Sequence, residues 1–171
     1  DEKYNAYKYA LEKHNFEFYI FGAGTIGERG ICCFERINWE LNAVIDNSAD
    51  KQGCMFSGKQ VISFEDYLAD KTGYIVVCVS EKYRQGINDQ LVKAGLENGV
   101  DFCNLDVFIS EFIPIVSLYS DGRLCLNIVE LALTERCTLK CKKCAHGCEY
   151  VPMDRKDMAL ETVMESADHL F

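Results

Sequence analysis

Glu17-Phe-Tyr-Ile-Phe-Gly22-Ala-Gly24-Thr-Ile-Gly27 is the stretch on which the reading of this chain turns. Residues 17–21 make an apolar run that reads as a buried strand. The glycines follow at once in the spacing G-x-G-x-x-G. Beyond them Ile26, Gly30, Cys33, Phe34 and Ile37 recur at helical spacing. A strand, a glycine loop and a helix in direct succession give each glycine a physical task. The first permits the tight turn, the second lets a pyrophosphate approach the backbone, and the third lets the helix pack on the strand. The helix N-terminus then faces the phosphates.

The pattern continues outward. Residues 1–13, with Tyr4, Tyr7 and Leu11, read as a short leading helix. Residues 41–45 form a second strand closed by Asp46, placed where an acid can bond a ribose 2′-hydroxyl. After an irregular stretch around Gly53 and Gly58, residues 59–62 could pair as a short strand. Ser63, three residues before Asp66, starts a short helix through Ala69. Residues 74–79 are a buried strand, 83–95 an amphipathic helix with Ile87, Leu91 and Ala94 on one side, and 101–105 a last strand. Strands alternating with helices imply an α/β fold with a parallel sheet covered on both faces. Residues 1–113 are thus expected to form a Rossmann-like domain of four or five strands. Its candidate ligand residues are Gly22, Gly24, Gly27 and Asp46. A mononucleotide, a nucleotide-sugar or NAD would suit it. The competing reading is that the glycines serve only the turn and Asp46 is a strand-end acid.

The pattern changes after about residue 113, where Pro114 breaks it. Residues 115–119 and 124–128 flank Ser120-Asp121-Gly122-Arg123, and Asp-Gly between apolar runs signals a β-hairpin. Residues 129–134 are an apolar strand running into a loop with Cys137, Cys141 and Cys144. Pro152 ends the loop. A final helix from about residue 154 carries Leu160, Val163, Met164, Ala167 and Phe171 on one stripe.

The segment from 16 to about 105 resembles the small N-terminal Rossmann-like domain of bacterial sugar O-acyltransferases. The residues that carry the resemblance are Tyr19-Ile-Phe-Gly22-Ala-Gly24, Val44-Ile-Asp46-Asn47 and Tyr74-Ile-Val-Val-Cys-Val79. The resemblance implies a nucleotide-sugar ligand. The hexapeptide-repeat half of that family is absent, so acetyl transfer does not carry over.

The spacing Cys137-x3-Cys141-x2-Cys144 packs three soft thiolates into one loop, a donor set for metal or iron–sulfur. Set after an apolar strand and before a helix, it resembles the radical S-adenosylmethionine superfamily. That resemblance covers about residues 126–171. It implies that 114–171 open a (β/α) barrel and that the three cysteines hold a [4Fe–4S] cluster. S-adenosylmethionine would chelate the open iron and be cleaved reductively. A reductant protein such as a ferredoxin or flavodoxin and a small-molecule substrate, a sugar or glycan precursor, follow as partners. Two departures stand out. Lys143 occupies a position often aromatic in that family, and Cys148 is an extra thiol, incidental or a fourth ligand. His146 is a solvent-side loop histidine, a further ligand or a proton donor. Structural zinc, or no metal at all, is the alternative for this cysteine tail, leaving a binding module without catalysis.

The remaining cysteines of the chain's ten, Cys32, Cys33, Cys54, Cys78, Cys103 and Cys125, read as core packing. The net charge of −9 argues against a nucleic-acid binder, which needs a basic footprint. No apolar run approaches the roughly 20 residues that span a bilayer, and no signal peptide is visible. A reducing cytoplasm, with no membrane partner, is the expected setting. The chain begins at Asp1 without a methionine, so the expectation is a piece of a longer enzyme, cut after the first barrel helix and without turnover by itself.

Overall fold

The computed structural model describes residues 2–70 and 73–122, with the single positions 159, 161, 162 and 164. The chain divides into two compact units, Asp1–Asn127 and Ile128–Phe171. In the second, Glu161, Thr162 and Met164 are helical and exposed.

The first unit follows the strand–helix alternation. Helix α1 is Glu2–Lys13, β1 is Phe18–Phe21, α2 is Thr25–Ile37 and β2 is Ala43–Ile45. Then come β3 (Met55–Phe56), β4 (Lys59–Ile62), α3 (Phe64–Asp70), β5 (Tyr74–Val77), α4 (Glu81–Lys93) and β6 (Phe102–Asn104). A helical run closes the unit: α5 (Leu105–Val107), a π-helical turn (Phe108–Phe112) and α6 (Ile113–Asp121).

The six strands make one sheet in the order β3-β4-β2-β1-β5-β6. All pairs are parallel except β3 with β4. Taken alone, the parallel strands among the described residues run third-second-first-fourth-fifth, the order of the first five strands of a Rossmann-type dinucleotide fold. The chain steps one way from β1 to β2 and the other way from β4 to β5. The C-terminal end of β1 is therefore the point where the winding reverses.

Period-two alternation splits the core between the two faces of the sheet. Phe18, Ile20, Tyr74 and Val76 point to one face, where α1, α2 and α6 contribute Leu11, Phe34 and Val116. Phe21, Ile75 and Val77 point to the other, under Phe64 and Tyr67 of α3 and Leu91 of α4. Ser63 caps α3 as expected: its hydroxyl accepts the Asp66 N–H at 3.0 Å and donates to the Asp66 carboxylate at 2.7 Å.

Four expectations are corrected. The sheet has six strands, because the irregular stretch hides β3. Ser57 and Gly58 both have positive φ, 45° and 78°, and turn β3 back onto β4 as a two-residue hairpin. Residues 115–119 are helical, so the hairpin proposed there does not form; its second arm, 124–128, lies outside the described residues. Gly122, at φ 67°, is the left-handed C-cap of α6, its N–H bonded to the Leu118 carbonyl at 3.1 Å. Pro114 does not end the helical run. It sits in the first turn of α6, where a missing N–H costs least, directly after the wider π turn. Finally, Cys32 and Cys54 are exposed. Cys32 falls on the outer side of α2 and Cys54 in the loop before β3, whereas Cys78 and Cys103 are buried and Cys33 packs against the core. Cys125 lies outside the described residues.

Candidate functional site

The loops leaving β1, β2 and β5 enclose a cleft of about 660 Å³ at the reversal point of the winding. That is where open α/β sheets take ligands, and the volume is ordinary for a small-molecule site. Gly22, Ala23, Gly24, Thr25 and Ile26 form one wall. Asp46, Asn47, Ser48 and Lys51 form the second, and Val79, Ser80, Tyr83 and Ile87 the third.

The three glycines of the motif are not equivalent. Gly22 has φ +120°, and a Cβ there would lie 2.6 Å from the Cys78 carbonyl oxygen. Only glycine fits. A Cβ on Gly27 would overlap the Gly22 carbonyl, so its absence lets α2 seat directly under the loop. Gly24 has extended backbone, φ −146°, and a Cβ would meet nothing within 4 Å. The fold does not need glycine at that position. Gly24 is the N-cap of α2 and supplies no capping side chain, so the first-turn N–H groups are not taken by one. Ser80, the N-cap of α4 on the far wall, likewise makes no side-chain cap bond.

Asp46 stands at the end of β2 with its carboxylate turned to the loop. Oδ2 accepts the Ala23 N–H at 2.8 Å, and Oδ1 accepts the Ser48 N–H at 2.8 Å. Lys51 folds back from the same segment. Its Nζ donates to the Ala23 carbonyl at 2.7 Å and to Asp46 Oδ2 at 3.1 Å. Both backbone groups of Ala23 are therefore held. Asn47 and Gln90 exchange two amide hydrogen bonds, 2.8 and 3.2 Å, which tie the β2 wall to α4.

Cys78 lines the floor. Burial pushes its thiol well above the usual range, and Cys103 and Cys33 add to the rise. It is packing, not a nucleophile. The lining offers backbone donors, one cation, one carboxylate and an apolar wall, a set of groups suited to holding a small polar ligand.

A second polar cluster occupies the opposite end of the strands. Asp101 Oδ1 accepts Lys13 Nζ at 2.6 Å and lies 2.9 Å from His14 Nε2, while Oδ2 accepts the Glu97 N–H at 2.8 Å. Burial acts to raise the Asp101 pKa, but the bonds from Lys13, Glu97 and His14 outweigh it and hold the carboxyl below its usual range. This cluster fastens α1 to the sheet and does not reach the cleft.

Of the residues singled out from sequence, Gly22, Gly24 and Asp46 line one cleft and Gly27 packs beneath it. Cys137, Cys141 and Cys144, with His146 and Cys148, lie outside the described residues. Among the described residues no three metal-ligating side chains come together, and no helix is long and apolar enough to cross a membrane. Sequence reasoning missed Lys51 and Tyr83. Lys51 belongs to no motif or periodic face, and only the folded loop brings it to Ala23; Tyr83 lies one turn before Ile87 on the helical stripe and reads there as packing.

Residues 15–99 match the family model C2185-like, N-terminal, a span just under half of the chain. No curated protein matches. Among solved structures, RSP, a Rex-family repressor, in complex with beta-NADH aligns at TM-score 0.40 and 21% identity, over 62% of this chain and 60% of that one. UDP-D-quinovosamine 4-dehydrogenase from Vibrio fischeri aligns at 0.39 and 19%, over 58% of this chain and 88% of that one. The chain spans about 60% of the length of the repressor. The fold assignment rests on the strand order itself, and the residues 15–99 are similar to the C2185-like N-terminal domain.

Proposed function

We propose that the first unit binds a nucleotide or nucleotide-sugar in the glycine-loop cleft. The phosphates lie over Gly24 and the N-terminus of α2. A ribose hydroxyl donates to Asp46 Oδ1, which keeps an acceptor site beside its bond to Ser48. The base rests on Val79, Tyr83 and Ile87. Gly24 carries this reading: the fold leaves room for a side chain there, and a ligand approaching the backbone is what a side chain would obstruct. Titration calorimetry with ADP, UDP, a UDP-sugar and NAD tests it. At least one should bind, and Gly24→Val should abolish the heat while the chain still unfolds cooperatively on heating. Silence from all four ligands would end the proposal.

A second reading is favoured by the cysteine spacing. We propose that Cys137, Cys141 and Cys144 hold a [4Fe–4S] cluster of a radical S-adenosylmethionine enzyme acting on a sugar or glycan precursor. The soft thiolate donor set suits iron–sulfur. Such a cluster, held by Cys137, Cys141 and Cys144, would supply the electron for reductive cleavage of S-adenosylmethionine. Anaerobic reconstitution with iron and sulfide should give visible charge-transfer absorbance that disappears in Cys141→Ala. An undiminished iron content in that variant would remove the ligand assignment.

A further inference from the structure

We infer that Lys51 is an anion ligand of the glycine-loop cleft and makes it selective for a nucleoside diphosphate over an uncharged nucleoside or a cationic one such as S-adenosylmethionine. The inference rests on the nucleotide reading and narrows it. An ammonium group has three N–H donors. Two are spent on the Ala23 carbonyl and Asp46, at 2.7 and 3.1 Å. The side chain is 45% exposed and lines the cleft, which leaves a third donor for a ligand there.

The position is set by covalent geometry. The Ala23 carbonyl carbon is bonded to the Gly24 nitrogen, which puts the ammonium within about 5 Å of Gly24. It therefore flanks the open space above that residue. A free lysine loses side-chain freedom when it grips a ligand. Lys51 is already held by two bonds, so less is lost on binding. Asp46 acts as a positioning residue, holding both the ammonium and the Ala23 N–H. A diphosphate brings negative charge to a fixed cation. A sulfonium offers the third donor no anionic oxygen and sets a like charge beside an ammonium that Asp46 only partly offsets, which disfavours it.

The rival interpretation is that Lys51 only braces the loop. The two separate by ligand charge. The whole chain is titrated with ADP, UDP, adenosine, uridine and S-adenosylmethionine over a range of sodium chloride, as wild type, Lys51→Met and Lys51→Arg. The bound diphosphate should weaken about tenfold in Lys51→Met and recover in Lys51→Arg. Its salt dependence should flatten in Lys51→Met, and the affinity for the matching nucleoside should stay constant. Lys51→Gln keeps a donor for the Ala23 carbonyl while losing the charge. It should show the same loss, including where Lys51→Met unfolds. Equal losses for nucleoside and diphosphate, no loss, or preference for S-adenosylmethionine overturns the role of Lys51 and leaves a nucleotide site standing. A wild-type chain that binds neither diphosphate and neither nucleoside overturns the nucleotide reading itself.

Discussion

Asp46 reaches from the end of β2 to accept the N–H of Ala23 at 2.8 Å, in the middle of the glycine loop. The loop's shape is thus set by a residue from the next strand. Asp46→Ala leaves the N–H groups of Ala23 and Ser48 without their partner and should cost about 1–3 kcal/mol in urea unfolding. Asp46→Asn keeps one oxygen acceptor and should cost less. Equal stabilities for all three proteins would show that the loop holds its own shape.

The glycines should separate by role. Gly27→Ala forces a methyl into the Gly22 carbonyl and should destabilise by about 1–3 kcal/mol. Gly24→Ala meets open space and should change stability by less than about 0.5 kcal/mol. Thermal melts of the two variants decide the point, and a stable Gly27→Ala protein would contradict the described packing.

Asp101 predicts an acid limb in the stability curve. Its folded pKa is depressed, so its stabilisation is complete above the unfolded value of about 3.9 and is lost as pH falls through the lower folded value. At neutral pH Asp101→Asn should be clearly less stable than wild type. The gap should narrow below about pH 4. A gap independent of pH would mean that the carboxylate's charge is not what holds α1.

Thiol reactivity follows burial. Burial raises the Cys103 thiol to about 12, and it holds the Cys78 thiol well above the usual range. Among the cysteines of the described residues, Cys32 and Cys54 should alkylate first, with Cys78 and Cys103 modified only after denaturation. Peptide mass spectrometry after iodoacetamide reads the order directly.

What could be seen in advance depended on how local the signal was. The unit β1, glycine loop and α2 was legible because an apolar run, three glycines and a helical stripe lie end to end. β3 was not, since Met55 is exposed and the strand is two residues long. Residues 115–122 misled for a physical reason. Ile115, Val116 and Tyr119 favour strands, and Asp-Gly serves a hairpin turn as well as it serves a helix end. The choice was made by tertiary contact: Tyr119 stacks on Tyr4 of α1 at 4.8 Å. In the cleft, Gly22, Gly24 and Asp46 were visible as a motif. Lys51 was not, because its partner Ala23 comes from a distant part of the chain.

The aromatic cluster at the start of β1 has an optical consequence. Trp39, the single tryptophan of the chain, stacks on Phe18 at 5.3 Å and meets Phe108 edge-on at 6.2 Å. The cleft opens at the other end of the same strand, about 10 Å away along it. Indole emission should therefore follow unfolding while ignoring ligand at the glycine loop. The chain carries an internal fluorophore that separates loss of structure from occupancy in a single cuvette.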